Sequence, residues 1–333
     1  MQAVRRINMS LRTFLGAVVA ACLVMAPSAC AVGLPVGGEG VSQTATRATG
    51  EGFEVRRFAF HLTQLNLGAI ARSDTDLVVI EAGGLSAASV ARLKRRPDGG
   101  RRLVLGYMNV GEAETYRSYW RASWNRNRPE WIGKPNRDWP DHFFVQYWTP
   151  EWQRILMGTR NSALDRILAA GFDGVFLDSV DKYQVWSGRL QRSKSDMSTL
   201  VKRIASYGRA RNPRFLVVPN NAEDLLSNAS YRAAIDAVVK ESLFFGVPGP
   251  GRRNSPQLVN WSMRLLRRAQ RDGKPILVIE YLSSAATQTA AAARIRDAGM
   301  LGTFGRRDLA RLTRPVTASD NAIRWIRRVP GPR

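Results

Sequence analysis

Cysteine and histidine are almost missing from this chain of 333 residues, with 2 of each. Cys22 and Cys30 both fall within the first thirty residues, so the remainder has no disulfide and depends on its apolar core. His61 and His142 stand far apart with no cysteine pair near either, which argues against a structural zinc site. Other signatures are also lacking. There is no G-x-S-x-G elbow for a serine hydrolase and no G-x-x-x-x-G-K-[ST] loop for a nucleotide phosphate. No G-x-G-x-x-G follows the first strand to cradle a dinucleotide, so no cofactor is expected; the oxygens of Asp178, Asp181 and Glu241 suit a divalent ion, but no ligand spacing is diagnostic and no metal is expected. Beyond the N-terminus no apolar run approaches the roughly 20 residues of a membrane span. Acids are scarce, 27 against 50 Lys+Arg, giving a formal charge of +23. The arginines are scattered, as at 92–102, 252–271 and 306–314, and no zinc-finger, RNA-recognition or basic-zipper pattern accompanies them. A basic solvated surface is the expectation, with no nucleic-acid partner.

The first thirty-one residues have the three-part layout of a secretory signal. Arg5, Arg6 and Arg12 precede an apolar run from Phe14 to Ala26, and the small residues Ser28, Ala29 and Ala31 follow. Cys30 sits where a bacterial lipoprotein carries its lipid, although Pro27 occupies the position usually held by Leu. Val19-Ala20-Ala21-Cys22 fits that pattern better but shortens the apolar region. Lipid anchoring and free secretion both stay open. Residues 32–52, rich in Gly, Ser and Thr, read as a linker to one domain over 53–333. The expected product is an exported monomer, either secreted or held at the cell envelope.

Short β-rich runs then alternate with helical spacing. Strands are expected at Arg57–His61, Leu77–Ala82, Leu103–Asn109, Gly174–Asp178, Phe215–Asn220, Ala237–Glu241, Ile276–Tyr281 and Gly302–Phe304. Trp152–Ala170 and Pro256–Asp272 read as helices, and Gly171, Gly273 and Gly299 stand where a left-handed cap is wanted. Eight strands, each followed by helix-compatible sequence, imply an α/β fold: a single closed (β/α)8 TIM barrel with an elaborated connection from about 110 to 150.

Such a barrel works at the C-terminal ends of its strands. There the sequence sets Glu81, Asn109 and Glu112, Asp178 and Asp181, Asn220 and Asn221, Glu241 and Glu280. An acidic series inside so basic a chain points to a selected cleft. Asp178 closes the apolar run from Gly174, and Glu241 follows Val238-Val239-Lys240. Two such carboxyls suit glycoside cleavage, one protonating the leaving oxygen and one attacking or activating water. Aromatic rings stack on sugar faces. Trp120, Trp124, Trp131, Trp139, Tyr147, Trp148 and Trp152 crowd one connection, while Tyr107, Tyr183, Trp186 and Tyr281 flank strand-end acids. Only a few of the eleven are expected to touch ligand.

Four stretches carry a family resemblance: Asp76–Glu81, Gly106–Glu114, the F-D-G-V-x-L-D-x-V-D-x-Y run over Phe172–Tyr183, and Lys240–Phe244. Together with Pro129–Trp131 and Tyr147–Trp152 they resemble glycoside hydrolase family 114, the endo-α-1,4-polygalactosaminidase-like barrels, from about Phe58 to Phe304. The resemblance implies Asp178 as nucleophile or base and Glu241 as general acid, acting on exopolysaccharide with α-1,4-linked galactosamine. Substrate contacts are expected from Glu81, Tyr107, Asn109, Glu112, Asp181, Tyr183, Asn220, Glu280, Tyr281 and Trp148. Glu81 stands where family members often carry Asp, and Lys182 places a cation where they commonly carry Gly. A different reading keeps the barrel as a non-catalytic binder of polysaccharide or cell envelope.

Overall fold

The computed structural model describes residues 53–316 and 323–325, so the expected signal and linker lie outside it. Eight parallel strands form the frame: β1 Phe58–His61, β2 Leu77–Glu81, β3 Leu103–Asn109, β4 Gly174–Asp178, β5 Leu216–Pro219, β6 Val238–Glu241, β7 Ile276–Glu280 and β8 Leu301–Phe304. Each expected strand is present within a residue at either end. Helices α1 Leu67–Arg72, α2 Ala87–Leu93, α3 Pro150–Leu156, α4 Ala163–Ala169, α5 Leu190–Arg211, α6 Ala229–Ala234, α7 Pro256–Arg271 and α8 Ala285–Asp297 fill the intervals. The stretch expected as one helix over 152–170 is two. Gly158 at φ +108° breaks it, and the Ser162 hydroxyl donates to the Arg154 carbonyl across the gap.

The strands are apolar on both faces, as parallel strands covered by helices must be. Alternate residues separate into two layers. Phe60, Leu77, Val79, Leu105, Phe176, Val218, Val239, Ile279 and Leu301 belong to an inner cluster that draws on all eight strands. Val78, Ile80, Val104, Val175, Val217, Val238 and Val278 face the helices in an outer one. The ladders do not close into the single ring expected. β1 to β5 form one sheet in chain order, and β6 to β8 form another, extended by an antiparallel strand at Arg314–Pro315. At one seam a bridge pairs Asn220 with Val239, and the N–H groups of Asn221 and Asp236 donate to the carbonyls of Val239 at 2.8 Å and Val217 at 2.9 Å. At the other seam Thr313 stands between the strands. Its N–H donates to the Phe60 carbonyl at 2.9 Å, and its hydroxyl accepts from the Phe60 N–H and from Thr303.

The long connection after β3 folds back over the C-terminal ends of the strands. Its residues 112–114, 142–145 and 132–135 make an antiparallel sheet. Gly111 lets it approach: a Cβ there would lie 2.3 Å from the Ser179 carbonyl oxygen. Trp120, Trp124, Trp131 and Trp152 contact one another in sequence, so most tryptophans of this segment hold it together.

Candidate active site

Three of the strand ends turn through strained backbone. Ser179 after β4, Asn221 and Ala222 after β5, and Ser242 after β6 all adopt φ between +51° and +61°. Left-handed conformations cost non-glycine residues free energy and persist where the surroundings fix them, often at functional sites. Here they aim side chains into a cleft of about 530 Å³.

Asp178 is held by three donors. Its Oδ1 accepts from the Ser179 N–H at 2.7 Å and from Asn220 Nδ2 at 3.2 Å, and its Oδ2 accepts from the Tyr107 hydroxyl at 2.9 Å. Glu241 has one hydroxyl donor, Tyr281, at 2.9 Å, while its backbone N–H donates to Asn221 Oδ1. Burial and the negative charge of Asp178 push the Glu241 carboxyl above its ordinary range, against the Tyr281 hydrogen bond, Arg307 and Lys240. Both carboxyls line the same cleft, in unlike surroundings. Because the Tyr281 hydroxyl stabilises ionised Glu241, Tyr281→Phe is expected to move the alkaline limb of a pH–rate profile upward and lower kcat by about tenfold. An unmoved limb would show that this bond does not tune the acid.

A second cluster lies opposite. Glu112 accepts from Asn136 at 2.7 Å, from the Ser179 hydroxyl at 3.1 Å and from His142 Nδ1 at 3.2 Å. Burial would raise this carboxyl, but His142, Lys182 and Asn136 outweigh it and lower its pKa; His142 is raised against its own burial by Glu112 and Glu114. Arg117 joins Glu81 at 2.7 Å to Glu114 at 2.5 Å and lies over the rings of Tyr107 and Tyr116. Lys182, beside Asp181 at 3.2 Å, also lines the cleft.

Of the residues expected from sequence, Glu81, Tyr107, Glu112, Asp178, Asp181, Asn220, Glu241 and Tyr281 line this cleft. Asn109 is buried behind it, accepting from the N–H groups of Gly111 and Glu112. Three expectations are corrected. Tyr183 is sealed from the cleft and donates to Asp224. Trp148 packs edge-on against Trp186 under the Arg189 guanidinium, away from the cleft. Glu280 is fully buried, accepting from the Phe244 N–H at 2.7 Å beneath the loop that follows β6.

Burial pushes Glu280 up to about 7, against the Phe244 and Phe245 N–H groups, and its second oxygen has no hydrogen-bond partner. A carboxyl raised on folding contributes stability below its unfolded pKa and loses it as pH rises through the folded value. At about 1.4 kcal/mol per pKa unit, the loss between pH 4.5 and 8 is roughly 3 kcal/mol. Glu280→Gln should flatten the fall in Tm over that window; a slope equal to wild type would place the titration elsewhere.

Sequence reading passed over Glu114, Tyr116, Arg117, Asn136, His142 and Arg307, which also line the cleft or its wall. Among the expected aromatics Trp139, 42 % exposed, is the tryptophan found there.

Comparison with known proteins bears on the whole domain. The chain is 34% identical over 250 residues to an uncharacterized protein of Deinococcus radiodurans, covering 75% of this chain and 79% of that one. An uncharacterized protein of Methanocaldococcus jannaschii is 30% identical over 255 residues, 72% of this chain and 70% of its own. The fold is similar to that of the glycoside hydrolase domain of PelA from Pseudomonas aeruginosa, with a TM-score of 0.61 at 22% identity over 77% of this chain and 96% of that domain. The model of glycoside hydrolase family GH114 matches residues 42–322, and the chain belongs to that family.

Proposed function

We propose that this glycoside hydrolase is an exported, endo-acting enzyme that cleaves α-1,4-linked galactosamine-containing or related exopolysaccharide on a (β/α)8 barrel. One observation carries the reading: Asp178 and Glu241 open into a single cleft, the first gripped by three donors and the second raised by burial and by its neighbour. Protonated Glu241 gives its proton to the departing glycosidic oxygen. Asp178 attacks the oxocarbenium-like centre or activates the water that does. Glu81, Glu112, Glu114 and Asp181 make the surrounding walls acidic, which suits an amino-sugar polymer even under a basic surface, since charges beyond roughly 10 Å are screened at 0.1 M salt. The barrel is supported by the inner cluster that gathers all eight strands, and export by the arginine-led apolar segment before Cys30.

The test is an assay of the full chain on galactosamine-rich, N-acetylated and acidic polysaccharides, reading new reducing ends. Ends from the galactosamine-containing polymers are expected. Tight binding with no ends from any of them would favour the non-catalytic reading.

A further inference from the structure

The loop and helix after β6 carry a charge pattern that the cleft does not use. Residues 252–271 hold Arg252, Arg253, Arg264, Arg267, Arg268 and Arg271 and not one acid. The four arginines of α7 make no ion pair among the described residues, a state they share with others such as Arg92 and Arg160; what sets α7 apart is four arginines on one helix with no acid among them. Asp272, just past α7, is paired with Arg232 at 2.6 Å. Arg267 turns to the Ala298 carbonyl. Arg264, Arg268 and Arg271 remain exposed. With Trp261 they are spaced by 3, 7 and 10 residues, a stripe along one face of the helix about 15 Å long. The opposite face, with Val259, Ser262, Leu266 and Ala269, is buried against the body.

Two large apolar side chains stand out in the same segment. Trp261 is 37 % exposed on the stripe, and Val247, in the loop before α7, is 45 % exposed. A polyanion in solution would use the arginines but gains nothing from an exposed valine. A bilayer with anionic headgroups uses both, the cations at the phosphates and the apolar groups just below them.

We propose that α7 and the loop before it form a docking face for an anionic phospholipid surface. α7 packs against β7, and neither its residues nor Val247 line the cleft, so docking leaves the cleft open. Each arginine near such a surface strengthens binding by roughly fivefold.

The test is co-sedimentation of the full chain with vesicles of phosphatidylglycerol and phosphatidylcholine, against phosphatidylcholine alone, at 0.1 M salt. Binding is expected on the anionic vesicles only. The triple variant R264E/R268E/R271E should weaken it at least about 30-fold. Reversal of three exposed arginines elsewhere, R92E/R160E/R214E, should weaken it less than about threefold. V247S/W261F keeps every charge and should still lose about tenfold, and the blue shift of tryptophan emission on binding should be smaller in this variant than in wild type. Equal losses in the two charge variants would overturn the proposal, as would binding indifferent to V247S/W261F. So would a short DNA duplex that binds more tightly than the vesicles with the same dependence on α7, which would assign the face to nucleic acid.

Discussion

Replacing Glu241 with glutamine is expected to lower kcat on a natural glycan by roughly 10²–10⁴-fold, the usual contribution of a positioned general acid. The reason is local. Glu241 is half-buried, faces the charge of Asp178 and has one hydroxyl donor, Tyr281, so its proton is retained to higher pH than an ordinary carboxyl allows. Glutamine fills the same space and can still accept from Tyr281, but it has no proton to give. The loss should therefore depend on the leaving group. A glycoside whose aryl leaving group departs without protonation should be cleaved by Glu241→Gln far closer to the wild-type rate. Equal losses on both substrates would remove Glu241 from the acid role. The melting temperature should be nearly unchanged, since a protonated carboxyl is replaced by a neutral amide of the same size and no cavity is opened.

The second large effect is expected at Arg117. Its side chain is 19% exposed and lies between Glu114, 2% exposed, and Glu81, 24% exposed. Arg117→Met keeps most of the volume but leaves the carboxylates uncompensated in a poorly solvated wall. Breaking a buried pair in this way costs about 3–5 kcal/mol. The same change uncovers the ring of Tyr107, whose hydroxyl holds Asp178, so activity should fall as well. Adding Glu114→Gln to Arg117→Met should restore part of the lost stability, because one stranded charge is removed; denaturant melts of the single and double variants measure the coupling. Strictly additive losses would mean that the two side chains do not depend on each other.

The frame was legible because it is written in short-range patterns. Runs such as Leu77–Glu81 and Gly174–Asp178 are apolar throughout and end in an acid, and Gly171, Gly273 and Gly299 each take the positive φ that a helix cap demands. What escaped depended on three-dimensional closure. Nothing local in the sequence says that Thr313 will sit between β1 and β8, or that Gly158 will split a helical pattern in two.

The same division runs through the cleft. Asp178 and Glu241 lie directly at strand ends, so position alone exposed them. Tyr183 and Glu280 also follow strand-end logic, yet the 3-10 helix Val180–Val185 rotates Tyr183 to Asp224, and the loop after β6 closes over Glu280. Arg117 and His142 belong to the antiparallel elaboration. Glu81 ends β2 and Glu112 stands 30 residues before His142, so only the folded connection brings these pairs together, whereas Glu114 stands three residues before Arg117. Glu114 closes the Gly106–Glu114 motif and Tyr116 stands two residues beyond it, and that proximity was the one available signal.

The central claim is that residues 178 and 241 act on the same bond. Rates of reducing-end release from one galactosamine-containing polymer, measured for wild type, Asp178→Asn, Glu241→Gln and the double variant, test it most directly. Groups that work as a unit are not additive: each single variant should be nearly inactive, and the double variant should be no slower than the worse single, within about tenfold. Wild-type rates in both single variants would contradict the account.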